Sequence, residues 1–269
     1  MGPGHLSAST FTVAGFSHLT PPDFPVARGA KQHYRSVNAI NLAAASFDEW
    51  VCVENHRPSD TPADSWLPAI QLITPETLTR RVDHTHEALL TQRHEGKAGH
   101  GHDVPAVDGP VSRRVALSAT QLGIVARLVV PVVAARALGH DVDFPRLADL
   151  WFRDVLPAPV PLSVAWQPGP AKIAGSAVEE ITHAFVAAGL SKIIAWDNLA
   201  SAVSTSVIMV TRCRPDLRRA AIDAATDMLV LVDPRPGITT GPGFRRRSCC
   251  LYYQASGSRI ACCGDCVLV

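Results

Sequence analysis

The sequence predicts a mainly α protein with a minor β component, an α+β fold in which a helical body precedes a cysteine-rich C-terminal segment. Three observations carry that expectation. Between residues 74 and 233 apolar residues recur at three- and four-residue intervals. One stretch, 160–166, alternates as a strand does. Of the seven cysteines, five fall within the eighteen residues 249–266.

Taken in order, residues 1–35 are rich in Gly, Pro, Ser and His and predict little regular structure. Residues 36–52 place Val37, Ile40, Leu42, Ala44, Phe47 and Val51 at helical intervals, so a first helix is expected there. A Pro- and Asp-containing loop follows over 57–68. Thr74-Pro75-Glu76 is a helix start, with Thr74 as N-cap and Pro75 at the first helical position, and this helix is expected to reach about Gln92. The Gly-, His- and Pro-rich run 94–110 reads as a loop. Near Ser118 a long apolar helix opens, and Gly139 closes it. Residues 143–154 suggest a short helix around Leu147, Leu150 and Trp151. Val160 to Trp166 suggests an edge strand, because prolines flank it. Three consecutive helices are expected over 173–189, 193–212 and 215–233. In the last, Leu217, Ala220, Ala221, Ala224, Met228 and Leu231 keep the three/four spacing. Pro234, Pro236, Gly237, Gly241, Pro242 and Gly243 then make a linker. The expected division is a helical body over 1–233 and a linker plus metal-binding segment over 234–269.

An apolar fraction of 47% in 269 residues supports a sizeable core, and a net charge of +1 gives no broad pull toward nucleic acid or anionic membrane. Residues 1–12 lack a basic stretch followed by an apolar one, so no secretory signal is expected. The apolar stretches 119–138 and 193–211 are interrupted by Arg127 and Arg136, and by Asp197 and Asn198. Both are expected as buried helices rather than transmembrane segments. A cytoplasmic, reducing compartment follows, in which thiols stay free or bind metal. Cys52 and Cys213 sit among ordinary neighbours and read as small half-buried residues.

The chemistry concentrates in the tail. Cys263-Gly264-Asp265-Cys266 is a C-x-x-C pair whose spacing lets both sulfurs reach one metal while backbone N–H groups point at them. Cys249 and Cys250 are adjacent, so both can be ligands only if the backbone turns at that point. Two vicinal thiolates plus the C-x-x-C pair suit a four-sulfur [2Fe–2S] site. Four-cysteine zinc is the main rival, although it favours two C-x-x-C knuckles. A disulfide or redox-sensing role is a further alternative. Composition alone does not choose among them.

The tail as a whole resembles the FhuF-type ferric-siderophore reductases. The resemblance is carried by Arg245, Arg246, Arg247, Ser248, Cys249, Cys250, Tyr252, Tyr253, Cys263, Gly264, Asp265, Cys266 and Val267. Upstream, Trp196-Asp197-Asn198-Leu199-Ala200-Ser201 resembles a family helix, with Asp197 where glycine is usual. The resemblance implies a [2Fe–2S] cluster on Cys249, Cys250, Cys263 and Cys266. Twelve residues separate Cys250 from Cys263, a longer gap than is usual in the family, and the extra Cys262 is an alternative ligand to Cys263.

Such a protein would reduce siderophore-bound Fe(III), because hard oxygen donors hold Fe(II) far less tightly. Arg245, Arg246 and Arg247, with Arg259, are expected to offset the cluster's negative charge or attract an anionic chelate; otherwise they form a solvated loop. Asn198 is expected to orient the tail. No dinucleotide fingerprint is present, so electrons would come from a separate ferredoxin or flavin reductase. A ferric siderophore and an uptake permease, approached peripherally, complete the expected partners; nucleic acid is not among them. The rival reading is a non-redox protein that binds an iron chelate, its tail stapled by zinc or iron–sulfur. The histidines His84, His86, His94, His100 and His102 lack ligand spacing and read as solvated, and Trp166 and Trp196 read as core.

Overall fold

Two long helices packed on each other form the most extensive contact between elements of the molecule. The computed structural model describes residues 40–58, 60–62, 65–99, 109–156, 160–233, 240–256 and 265–267. Within these lie α1 (Pro75–Gly99), α2 (Arg113–Ala137), α3 (Ala177–Ala187), α4 (Lys192–Cys213), α5 (Arg218–Val232) and the short α6 (Tyr253–Ser256). A small sheet is formed by β1 (Glu54–Asn55), β2 (Leu67–Pro68), β3 (Leu150–Phe152) and β4 (Leu162–Val164). The fold is therefore mainly helical with a minor sheet, as the sequence pattern predicts.

The central pair is α2 against α4, with α5 and α1 packed on α2 and with α5 also on α4. Burial explains the choice. Val125, Val129, Val132, Val133 and Ala134 of α2 and Leu199, Ala200 and Val203 of α4 are wholly enclosed. Each of these valines and Leu199 contributes about 1.5–3 kcal/mol by leaving water, an upper figure given residual denatured-state burial. By length and composition both helices could cross a membrane, with mean hydropathies of 1.7 and 1.5, and 78% and 67% of those windows are buried inside the fold. Arg127, on α2, is also enclosed, and its guanidinium is spent on the carbonyls of Glu49, Trp50, Cys52 and Val160.

The helix limits follow local chemistry. Thr74 accepts a hydrogen bond from the Thr77 N–H at 3.4 Å and Pro75 opens α1, as expected. The helix then runs past Gln92 to Gly99, through the first part of the expected 94–110 loop; residues 100–108 lie outside the described residues. Ser112 precedes α2, and Gly139, at φ +88°, turns the chain away after it. Ser176 caps α3 by accepting from the Glu179 N–H at 3.3 Å.

Three local expectations are corrected. The helix expected over 36–52 is absent among the described residues 40–52, although Ile40, Leu42, Phe47 and Val51 are buried as that pattern required. Asn41 accepts from the Ala44 N–H at 2.9 Å, Asp48 accepts from the Trp50 and Val51 N–H groups, and Ser46 sits at φ +65°. These side-chain bonds outcompete the helical ladder. The helix expected around Leu147, Leu150 and Trp151 is a single 3-10 turn, Leu147–Asp149, followed by β3. The strand near 160–166 is not an edge. β4 lies between β1 and β3 in the order β1-β4-β3-β2, parallel to β1 and antiparallel to β3. Its prolines, Pro161 and Pro168, flank the strand and leave its ladder intact.

Candidate metal centre and the stripe that holds it

On α4, residues 197, 198, 201 and 204 share one face, since four- and three-residue steps return to the same side of a helix. All four are polar and buried in a helix whose buried residues are otherwise apolar apart from Ser206. A buried polar group without a partner costs about 1–3 kcal/mol, so such a stripe requires matching groups opposite it. The C-terminal segment supplies them.

Ser204 is paired twice with Gly241: its Oγ donates to the Gly241 carbonyl at 3.2 Å and accepts from the Gly241 N–H at 2.9 Å. Gly241 takes φ +71° there, in a 3-10 turn that rests on α4. Asn198 is satisfied on both ends. Its Nδ2 donates to the Ser118 carbonyl at 3.0 Å, the Ser118 Oγ at 3.1 Å and the Gln121 Oε1 at 2.7 Å, while its Oδ1 accepts from Arg246 Nη2. Asp197 accepts from Arg247 Nε at 2.9 Å and from the Ser248 N–H and Oγ–H at 2.6 Å each. Asp197 thereby holds the Arg247 guanidinium above the ordinary arginine value, with a further contribution from Asp233. Ser201 donates to the Asp265 carboxylate.

These bonds bring two arms of the tail together. The first arm, ending in Cys249-Cys250, is held by Asn198 and Asp197; the second, Asp265-Cys266, is held by Ser201. The Arg246 N–H donates to the Asp265 carbonyl at 3.1 Å and ties one arm to the other. Phe244, 1% exposed, anchors the first arm in the main core. Immediately beyond the vicinal cysteines, Leu251 adopts φ +65°, and its N–H donates to Cys249 Sγ at 3.3 Å. The chain therefore turns directly after the vicinal pair. Beyond it, α6 is pinned to the far end of α1: Arg93 donates to the Gln254 carbonyl at 2.8 Å, and Gln92 exchanges hydrogen bonds with the Tyr252 hydroxyl.

The cysteines are where this framework leads. Cys250 and Cys266 are buried and Cys249 is half-buried, and all three are unbridged. Burial pushes the Cys249 thiol above its ordinary value, and the neighbouring Cys250 and Cys266 push it the same way; the Leu251 N–H and Arg246 oppose them. Among the described residues no three His, Cys, Asp or Glu side chains stand grouped as a metal would require. Cys262 and Cys263 lie outside the described residues. The N–H that Leu251 donates to Cys249 Sγ favours an anionic sulfur, and Arg246 is buried with Nε and Nη1 unbonded.

No family model, curated protein or solved structure matches this chain.

The three arginines separate. Arg245 is exposed, Arg246 is 2% exposed and bonded to Asn198, and Arg247 is committed to Asp197. Of the histidines, His86 bonds the Val111 carbonyl at 2.8 Å, His84 is half-buried on α1 and His94 is exposed; His100, His102 and Arg259 lie outside the described residues. Trp166 is in the core, its indole N–H on Asn55 at 2.8 Å, and Trp196 is half-buried beside His183. Cys52 and Cys213 are half-buried and unbridged. Sequence reasoning singled out Asn198 for the tail but missed Ser204 and Gln121. The available signal was polar residues at helical spacing within an apolar helix.

Proposed function

We propose that the chain is a cytoplasmic ferric-siderophore reductase whose tail binds a [2Fe–2S] group through Cys249, Cys250, Cys263 and Cys266, with Cys262 as alternative at the third position. The reading rests on buried Cys250 and Cys266 and half-buried Cys249 lying on two tail arms that a backbone bond from Arg246 to Asp265 ties together and that α4 holds in place. When bound, such a group supplies a one-electron relay between an external donor, a ferredoxin or flavin reductase, and chelated Fe(III), which leaves as weakly held Fe(II).

The chain's own residues do the rest. Asp197 and Ser248 fix the vicinal-cysteine arm, and Ser201 fixes the other through Asp265. Leu251 turns the backbone so that its N–H meets sulfur, a contact that favours the more negative, reduced state. Phe244, buried in the main core, anchors the arm that carries the vicinal cysteines. Arg245, on the exposed side, offers its charge to an anionic ferric chelate. Electron transfer of this kind needs no acid, base or nucleophile. The helices α2 and α4 serve as the core, so any association with an uptake permease is peripheral.

The test is anaerobic purification with iron and acid-labile sulfide counts, electron paramagnetic resonance of the dithionite-reduced protein, and stopped-flow mixing with a ferric siderophore. The reduced-group spectrum should disappear as Fe(II) appears. Colourless protein, or protein carrying zinc at the tail, would overturn the proposal.

A further inference from the structure

The segment that carries the vicinal cysteines is gripped a second time, away from α4. Asp197 holds Ser248, and only Cys249, Cys250 and Leu251 lie between it and Tyr252, which is bound to α1. Gln92 Nε2 donates to the Tyr252 hydroxyl at 3.1 Å, and that hydroxyl lies 3.2 Å from Gln92 Oε1. Arg93, 6% exposed, donates from Nη1 to the Gln254 carbonyl at 2.8 Å. Ser112 Oγ donates to Gln254 Oε1 at 3.2 Å.

Two of these contacts run against local preference. Ser112 stands at the N-cap of α2, where a serine hydroxyl ordinarily accepts from the first-turn N–H groups, yet it makes no such bond and turns to Gln254 instead. Arg93 carries its guanidinium out of water and commits Nη1 to a carbonyl of the four-residue α6. A helix that short does not stand on its own ladder. The end of α1 and the start of α2 hold it in place, together with the wholly buried Ala255. The span between the two grips is left with few conformations, and Cys250, 7% exposed, and half-buried Cys249 occupy it.

We propose that Arg93, supported by Gln92 and Ser112, is a positioning residue for the vicinal cysteines: it holds Cys249 and Cys250 in their buried arrangement from α1, while α4 holds them from the other side. This rests on the proposed function and deepens it, because it adds α1 to the framework that presents the sulfurs. Arg93 acts through the α6 backbone, so its role is placement. The grip is also selective between the two arms. Cys266 follows Asp265, which is held by Ser201 and tied to Arg246 upstream of the vicinal pair. Releasing α6 therefore frees Cys250 and leaves Cys266 where it is.

The experiment is timed maleimide labelling of the anaerobically isolated full-length protein after chelator treatment, read cysteine by cysteine by mass spectrometry. It compares wild type, Arg93→Gln, Arg93→Lys, Ser112→Ala and, as a surface control, Arg219→Gln on the exposed side of α5. Arg93→Gln should label Cys250 about tenfold faster, as expected when a charge-assisted bond to buried backbone is lost and the segment opens locally. Ser112→Ala should do so about threefold, and Arg93→Lys, which keeps the charge and a donor, by less than Arg93→Gln. Cys52, Cys213 and Cys266 should stay within about twofold throughout, as should Cys250 in Arg219→Gln. If Arg93→Gln exposes Cys52 and Cys213 as well, the body has opened and Ser112→Ala decides. Cys250 labelling that is unchanged there, or that rises only in step with Cys52 and Cys213, overturns the inference. Iron and sulfide counts taken before chelation keep the two readings apart. An iron-loaded wild type with Cys250 unmoved in the variants removes the α1 grip alone; a wild type without iron, in which Arg93→Gln still unmasks Cys250, supports the grip and removes the proposed function.

Discussion

The α2–α4 centre and the docked tail are buried in the same molecule by opposite means. Around Val129, Val133, Leu199 and Val203 the contacts are aliphatic and non-directional. Along Asp197, Asn198, Ser201 and Ser204 they are hydrogen bonds, each with a named partner in the tail. Apolar burial supplies stability but tolerates small sliding; a row of polar pins gives less net energy and fixes register. A site that must hold sulfurs in one arrangement needs the second kind of contact.

The comparison can be broken by substitutions one position apart in kind. Leu199→Ala should cost about 3–5 kcal/mol and lower the whole-molecule melting transition, since it opens a cavity between the central helices. Asp197→Ala should cost about 2–3 kcal/mol, less than a fully enclosed ion pair because Arg247 is part-exposed. Its effect should be local: limited proteolysis should reach the tail while the far-ultraviolet helical signal persists. If Asp197→Ala instead melts the body cooperatively with the tail, the distinction between the two regions is lost. Smaller still, Ser204→Ala removes the double contact to Gly241 and should cost about 1 kcal/mol, read as faster amide exchange around Gly241.

The least effect is expected from pH, and it falls on the body. Burial pushes the Asp48 carboxyl up, but hydrogen bonds from Arg212 and the Val51 N–H outweigh it and leave Asp48 below its ordinary value. A lowered carboxylate stabilises the fold above its unfolded-state pKa, and that contribution disappears as pH falls through the folded value. The pair with Arg212 is 2.6 Å long but well exposed, so less than about 1 kcal/mol is at stake. Asp48→Asn should flatten the acid limb of a melting-temperature profile slightly, leaving tail proteolysis unchanged.

Helices α2 to α5 were legible because their apolar spacing and the stop at Gly139 agree. The stretch around Leu42 and Phe47 misled because the same spacing was shared by a chain whose Asn41 and Asp48 side chains bind their own backbone. At β4, Pro161 and Pro168 suggested an edge, yet a proline bordering a strand removes nothing from its ladder, and the two-residue β1 completes the pairing. In the tail, the cysteines suggested the proposed site, and Asn198, picked out for orienting the tail, does bond Arg246. The fate of Arg245, Arg246 and Arg247 was not readable, since three identical neighbours differ only in what α4 presents to each.

The single backbone bond from Arg246 to Asp265 has an evolutionary corollary. It makes the chain between those residues an excursion that leaves and returns at fixed points, so closure entropy changes little when the excursion lengthens. Residues can be gained or lost within it while the anchors stay put. Beyond the contacts that tie Tyr252 and Gln254 to Gln92 and Arg93, a change in the length of the Cys250–Cys263 spacing thus adds little closure cost.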